Sequence, residues 1–285
     1  MTVRSKEYHR PEDWARAHQL LNRSEVHTVP LVVSPRPAAL TDLEADAFVD
    51  LQKLQLDAIH KSGDNRIHLG GMATLQAVYE SDLLKAEADG ILSEAAHISA
   101  TLGIRNLATV AGALTAPSSP PDVALALMAL DALVTLQKDE GRTRTLPLHE
   151  FIAAGDKALQ RGEVLVEVSF ASAPSFGSLA RVGRTPRDHA IVAAAAVVEV
   201  SNGAVRRAGV ALAGANPLPV RLLDVEKLLS GKTASAALLD QAAALAEKQA
   251  VPQGDYRGSV EYRRAMAAVL VRRALAAALK HAGLA

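Results

Sequence analysis

The chain has 285 residues, enough for more than one hydrophobic core, and its 49% hydrophobic and 22% charged residues are ordinary for a globular protein, which excludes a disordered class. Lys plus Arg and Asp plus Glu both number 31, so no overall field favours nucleic acid or an acidic membrane. The count of zero cysteines excludes disulfides, thiolate-held iron–sulfur clusters and a thiol nucleophile on this chain.

The first residues are charged and lack the apolar core of a signal peptide, and no run approaches the roughly 20 apolar residues of a membrane span, so a cytoplasmic protein is expected. Residues 8–21 place Pro11 in a first turn and Trp14, Ala17, His18 and Leu21 at helical spacing, predicting an amphipathic helix. Residues 31–33 predict a short strand, interrupted by Ser34, Pro35, Arg36 and Pro37. Strands are expected at 48–51 and 67–72, the latter ending in Gly70 and Gly71, with a turn at 61–65 between them. Helix is expected from 73 to 79 and again, continuously, from 82 to 100. Residues 132–138 and 143–148 flank Asp139, Glu140 and Gly141 as a hairpin, and 163–170 alternates like a half-buried strand. Small and proline-bearing residues at 171–177 mark a domain boundary. Beyond it, strands at 179–184, 190–200 and 205–212 precede helices at about 219–229, 234–248 and 259–280. Three strands followed by three helices indicate an α+β domain.

One stretch, residues 105–131, combines features that suit a ligand. Arg105 and Asn106 lead into Thr109, Val110, Ala111, Gly112 and Ala113, read as a tight small-residue loop that another group can approach closely. Ser118, Ser119, Pro120, Pro121 and Asp122 then read as the capped start of an apolar helix, whose N-terminus favours anions. Short glycine motifs are weak evidence of a ligand, and on these residues alone Gly112 and its alanine neighbours are read first as letting two elements pack closely.

Other chemistries find little support. The nine histidines show no one-turn pair and no metalloprotease motif, so no metal site is expected. There is no nucleophile elbow, no phosphate-loop lysine, and no glycine fingerprint after the first strand. Arg263, Arg264, Arg272 and Arg273 fall at separate azimuths of the last helix, which predicts ion pairing or partner contact and no nucleic-acid stripe. Arg184, Arg187, Asp188 and His189 lie beside a strand, in a solvated turn or a functional loop.

Taken together these segments resemble the FAD-binding, or medium, subunit of the molybdenum hydroxylases, the aerobic carbon monoxide dehydrogenase and xanthine dehydrogenase class. The resemblance runs through Tyr8-His9-Arg10-Pro11, Phe48-Val49-Asp50-Leu51, Leu69-Gly70-Gly71-Met72-Ala73-Thr74, Ile104-Arg105-Asn106 with Thr109-Val110-Ala111-Gly112, Asp122, and Leu130-Asp131-Ala132. It continues through Arg184-Thr185-Pro186, Asp188 and Ala190-Ile191-Val192, and its most specific part is Asp255 to Arg264. The resemblance implies an FAD-binding fold of the vanillyl-alcohol-oxidase type over residues 1–171, with subdomains of about 1–56 and 57–171, and a C-terminal α+β domain over 178–285. It implies FAD contacts from Arg105, Asn106, Thr109, Val110, Ala111, Gly112, Ala113 and Asp122, from Ser34 and Arg36 in a first loop, and from Arg184 and Asp188 beside the flavin. It further implies a molybdenum-containing large subunit and a small subunit with [2Fe–2S] clusters as partners, in a dimer of heterotrimers, with electrons leaving through FAD to an external acceptor. No residue of this chain need act as an acid or base, because the flavin carries the electron chemistry.

Both glycine loops depart from the family pattern. Pro35 and Pro37 stand where the first loop has glycines, and Ala111 and Ala113 replace a glycine and a Ser or Asn in the second. Each lost hydrogen bond to an anion removes about 1.5–3 kcal/mol, so FAD retention is expected to be weakened. Two readings follow: a working flavin subunit, or a subunit that keeps the fold as a scaffold around a degenerate FAD site. A free-standing flavin oxidase is disfavoured by the absence of a covalent-flavin cysteine.

Overall fold

The computed structural model describes residues 6–35, 45–116, 121–139, 141–185 and 188–284. Strand β1 (Glu7–His9), helix α1 (Trp14–Leu21) and strands β2 (Thr28–Leu31) and β3 (Ala47–Asp50) make a parallel sheet in the order β1-β3-β2. Pro30 is tolerated in β2 because that strand is an edge. The helix predicted from residue 8 starts only at Trp14, where the Asp13 carboxylate accepts the Arg16 amide at 2.7 Å. Upstream, buried Asp50 accepts the Tyr8 hydroxyl at 2.5 Å and pairs with Arg10 at 3.4 Å, and Tyr8 lies in the sheet as part of β1. The strand predicted at 31–33 lies earlier, because its ladder ends where Leu31 faces Asp50.

The middle of the chain forms strands β4 (Ile59–Lys61) and β5 (Arg66–Gly70) and helices α2 (Leu75–Glu80), α3 (Asp82–Lys85), α4 (Ile91–Ser99), α5 (Leu102–Arg105), α6 (Val110–Thr115) and α7 (Asp122–Ala129). Strands β6 (Leu133–Asp139) and β7 (Arg142–Pro147), helix α8 (Leu148–Ala153) and strand β8 (Val164–Ala171) follow. The five strands pair antiparallel in the order β4-β5-β8-β6-β7. Alternation sends Ile67, Leu69, Val134, Leu136, Val168 and Phe170 into the core and leaves His68, Thr135 and Glu167 on the half-exposed face. The single helix expected over 82–100 is broken at Ala88 and Asp89, whose φ values are +46° and +55°. Asp89 is held there by its carboxylate, which accepts the Gly177 amide at 3.1 Å and pairs with His281 at 3.0 Å.

The last part contains strands β9 (Phe176–Val182), β10 (Val192–Ser201), β11 (Ala204–Ala213) and β12 (Val220–Arg221), then helices α9 (Leu223–Leu229), α10 (Ala236–Gln249) and α11 (Val260–His281). The antiparallel order is β12-β11-β10-β9, so a short fourth strand joins the expected three and delays the helix predicted from 219 to Leu223. Strand β10 is buried on both faces. Ala194, Ala196 and Val198 pack with the residues of α10 and α11, while Ala193, Ala195 and Val197 join the core that contains α7. The small residues let the sheet approach that helix closely: a Cβ on Gly209 would stand 2.0 Å from the Ala129 carbonyl oxygen. This packing brings β9 beside the start of α7.

Candidate functional site

The expected small-residue loop is largely helical. Val110–Thr115 forms α6, and Thr109 is its N-cap, with the side-chain oxygen accepting the Gly112 amide at 3.1 Å. Ala111 therefore has helical backbone and carries its Cβ without strain. The amides of this segment are all used within the protein. Thr109 donates to Val33 at 2.9 Å, Val110 to Ala73 at 3.0 Å, Ala111 to Gly71 at 2.8 Å and Ala113 to the Thr109 carbonyl at 2.9 Å. The close approach that Gly112 permits is made by the first loop itself, since a Cβ there would lie 2.0 Å from the Val33 oxygen and 2.9 Å from the Ser34 nitrogen. The two loops are thus one packed seam, with Ser34 buried inside it.

Past the seam, Asp122 opens α7 at 1% exposure, and neither carboxylate oxygen has a hydrogen-bond partner. Among the described residues the cation paired with it is Arg181 of β9, whose Nε stands 3.8 Å away. Burial pushes the Asp122 carboxyl above its usual range, Arg181 and then the residue's own amide oppose that shift, and Glu94 adds to it. Arg181 donates one Nη to the Asp188 carbonyl, while its other Nη is buried without a partner. Both carboxylate oxygens of Asp122 and one Nη of Arg181 are thus buried and unsatisfied where two parts of the chain meet, with the Nε of Arg181 turned to the acid. On the other side of α6 and α7, a cavity of about 340 Å³ opens between Leu114, Ala124, Phe151, Leu159, Leu218 and Pro219.

Residues 3–172 match the FAD binding domain in molybdopterin dehydrogenase, and residues 178–278 match the CO dehydrogenase flavoprotein C-terminal domain. The chain belongs to the FAD-binding (medium) subunits of the molybdenum hydroxylases. It is 30% identical over 277 residues to a carbon monoxide dehydrogenase medium chain from Afipia carboxidovorans, covering 95% of this chain and 96% of that one. It is 30% identical over 239 residues to the 6-hydroxypseudooxynicotine dehydrogenase complex subunit alpha of Paenarthrobacter nicotinovorans, covering 82% and 80% of the two chains. Among solved structures, the carbon monoxide dehydrogenase of Hydrogenophaga pseudoflava superposes with a TM-score of 0.88 at 26% identity over 98% of this chain and 99% of that one. These relatives are oxidoreductase subunits.

Within this medium subunit the residues singled out from sequence fall in separate places. Ser34, Thr109, Val110, Ala111, Gly112 and Ala113 come together in the seam, and Asp122 stands apart from them against Arg181. Arg184 and Asp188 are exposed beyond Arg181, where the Asp188 carboxylate accepts the Thr185 amide at 3.1 Å and closes its own turn. Arg105 is buried among α2, α4 and α5, donating to Gln76 at 2.8 Å and to the carbonyls of Ala100 and His97 at 2.9 and 3.1 Å, and it stacks over Tyr79. Asn106 is an exposed helix C-cap, while Arg36 and the serines at 118 and 119 lie outside the described residues. The helix cap position before Asp122 is Pro121, which supplies no side-chain cap. Sequence reasoning passed over Arg181, read there only as part of a strand. Its signal was a cation between the apolar Leu179 and Val182 of a strand otherwise poor in charge.

Among the described residues no cluster of three or more His, Cys, Asp or Glu side chains could hold a metal, and no helix is long and apolar enough to cross a membrane.

Proposed function

We propose that this chain is the electron-transfer subunit of a molybdenum hydroxylase complex, in which FAD on this subunit receives electrons from [2Fe–2S] clusters on a small subunit and passes them to an external acceptor. A large subunit holds the molybdenum centre, and the assembly is a dimer of heterotrimers. Residues 1–171, in parts of about 1–56 and 57–171, and residues 178–285 are the two units that close on the cofactor. The observation that carries the reading is the unpartnered Asp122 carboxylate, buried against Arg181 where the two family domains meet. A buried charge without hydrogen bonds is costly, and a bound polyol relieves it. Asp122, as an acceptor, and Arg181, as a donor, are the residues that would hold FAD here. When bound, FAD supplies the two-electron and one-electron chemistry, and the protein supplies position and electrostatics. The chain's lack of cysteine fits a complex whose clusters reside on another subunit.

A second reading, a scaffold subunit with a degenerate FAD site, is favoured by the amides of residues 109–113, which are already satisfied within the chain and offer no cradle to a pyrophosphate. One measurement separates the two. The chain is co-expressed with its large and small partners, and the visible spectrum and acid-released FAD of the purified complex are measured. Near-stoichiometric FAD per chain supports the electron-transfer subunit. An intact complex without flavin leaves the scaffold.

A further inference from the structure

The motif from Asp255 to Arg264 is the most specific in the sequence, yet none of it touches Asp122. Its centre is Arg263, 4% exposed on the first turns of α11. The guanidinium donates to the Asp255 carboxylate at 2.7 Å, to the Ile191 carbonyl at 2.7 Å and to the Gly214 carbonyl at 2.8 Å, with a longer bond to Gly258 at 3.3 Å. Asp255 is fixed in turn by the amides of Arg257 at 2.9 Å and Gly258 at 3.1 Å. The rest of the motif serves the same clamp. Ser259 caps α11, and a side chain on Gly258 would press on Ile191 and Tyr262. Gly214 has φ +78° and its missing Cβ would lie 2.0 Å from the Ile191 oxygen, so only glycine lets both carbonyls converge on one guanidinium.

The two carbonyls lie where adjacent ends of β10 and β11 give way to loops. Ile191 precedes β10 and Gly214 follows β11. Ile191 is the shorter link to the site, because the same residue that offers its carbonyl to Arg263 donates its amide to Val182 of β9 at 2.7 Å. Val182 adjoins Arg181, which in the ladder faces Ala193, two residues after Ile191. One residue therefore separates the buried guanidinium of Arg263 from the strand that aims Arg181 at Asp122.

We propose that Arg263, oriented by Asp255, is a positioning residue for the cofactor site: through Ile191 it fixes the end of β9 and so the placement of the Arg181 guanidinium opposite Asp122. The proposal rests on the reading that Arg181 and Asp122 face FAD. A lysine at 263 keeps the charge but cannot span Asp255 and two carbonyls in one plane.

The test is a double-mutant cycle in the full complex, stripped of flavin and titrated with FAD by flavin fluorescence, with thermal midpoints recorded for each variant. Arg181→Met is measured alone and with Arg263→Lys. The expected result is an FAD dissociation constant raised about tenfold by Arg263→Lys in the wild-type background and no further rise in the Arg181→Met background. An equal rise in both backgrounds, or unchanged affinity in a folded Arg263→Lys protein, overturns the positioning role. Should Arg263→Lys fail to fold, Asp255→Asn, which removes the carboxylate that orients the guanidinium toward the Ile191 and Gly214 carbonyls, takes its place in the same cycle with the same outcomes. Arg181→Met with wild-type affinity refutes the FAD reading itself, and is visible in that single variant before the cycle is closed.

Discussion

Replacing Gly112 with alanine tests the seam between the two loops. The added Cβ would stand 2.0 Å from the Val33 carbonyl oxygen, about 1 Å inside the closest approach that real side chains make, and the obstruction is backbone on both sides. Either α6 or the first loop has to retreat. Retreat breaks the bond from the Thr109 amide to Val33, now 2.9 Å, and disturbs the packing of Val32 on the small core around Val49 and Leu51. Overpacking costs about 1–3 kcal/mol and the lost hydrogen bond about 1, so Gly112→Ala should destabilise the chain by about 2–4 kcal/mol. The assay is thermal unfolding followed by Trp14, the one tryptophan of the chain, which packs against the same small core as Val32. The midpoint should fall by roughly 4–16 °C. A midpoint within a degree of the parent would show that the two loops are not in contact as described, and the internal use of the seam amides would have to be abandoned with it.

Asp122→Asn should raise the stability of the flavin-free chain at neutral pH while weakening FAD binding. The folded carboxyl titrates above its ordinary value, so the parent loses stability as pH rises from that ordinary value through the raised one, and urea midpoints of the Asn variant should lack that decline. Asp255 behaves in the opposite sense: burial raises its carboxyl, but Arg263 and the amides of Arg257 and Gly258 outweigh this and hold it far below the usual range. Its contribution is present above the ordinary carboxylate value and lost in acid, so Asp255→Asn should be less stable than the parent at pH 7, with the two curves converging progressively as pH falls from that ordinary value. Arg105→Met leaves Gln76 and two carbonyls without their donor and should cost about 1–3 kcal/mol in denaturant melts. The FAD spectrum of the folded variant should be unchanged, and altered flavin absorption would assign Arg105 to the cofactor instead of to its own helices.

Much of the fold was legible because it rests on local period. The hairpin of β6 and β7, the alternation of β8 and the long helices α10 and α11 fall within a few residues of where periodicity puts them. The misses share a cause: a distant partner overrides the local pattern. Residues 82–100 read as one helix, although Asp89 and Gly90 form a turn dipeptide, because the contacts that fix the break come from Gly177 and His281. α6 is six residues long, too short to be stable alone, and its first amides are satisfied by carbonyls of Ala73 and Gly71 that no spacing rule connects to them. The same holds for the candidate site. Asp122 could be named from its place at a helix start, but its cation lies in a strand of the next unit. Arg263 was one of four helix arginines at separate azimuths, and only the convergence of Ile191 and Gly214 distinguishes it from the exposed Arg272, which pairs with Asp240.

The two parts of the chain are joined more firmly than a linker at 171–177 suggests, and α7 is the reason. Every residue of this helix is buried, and each end is met by an arginine from the C-terminal sheet. At its start Arg181 faces Asp122. Just past its end Asp131, at φ +60°, pairs with Arg207 at 3.6 Å and with Arg221, and these arginines are held in turn by Glu199 and Glu226. The two contacts differ in kind. The Asp131 carboxylate is half exposed and the largely buried Arg221 side chain is paired with Glu226 as well, so this cluster fixes the helix against β11 and β12 with its carboxylates paired. The Asp122 pair is buried, stretched to 3.8 Å and short of hydrogen bonds, an arrangement that is costly unless something completes it. Secured at its Asp131 end, the helix holds Asp122 at a fixed place opposite Arg181. That is the condition under which a buried acid can receive a cofactor without first reorganising the two units around it.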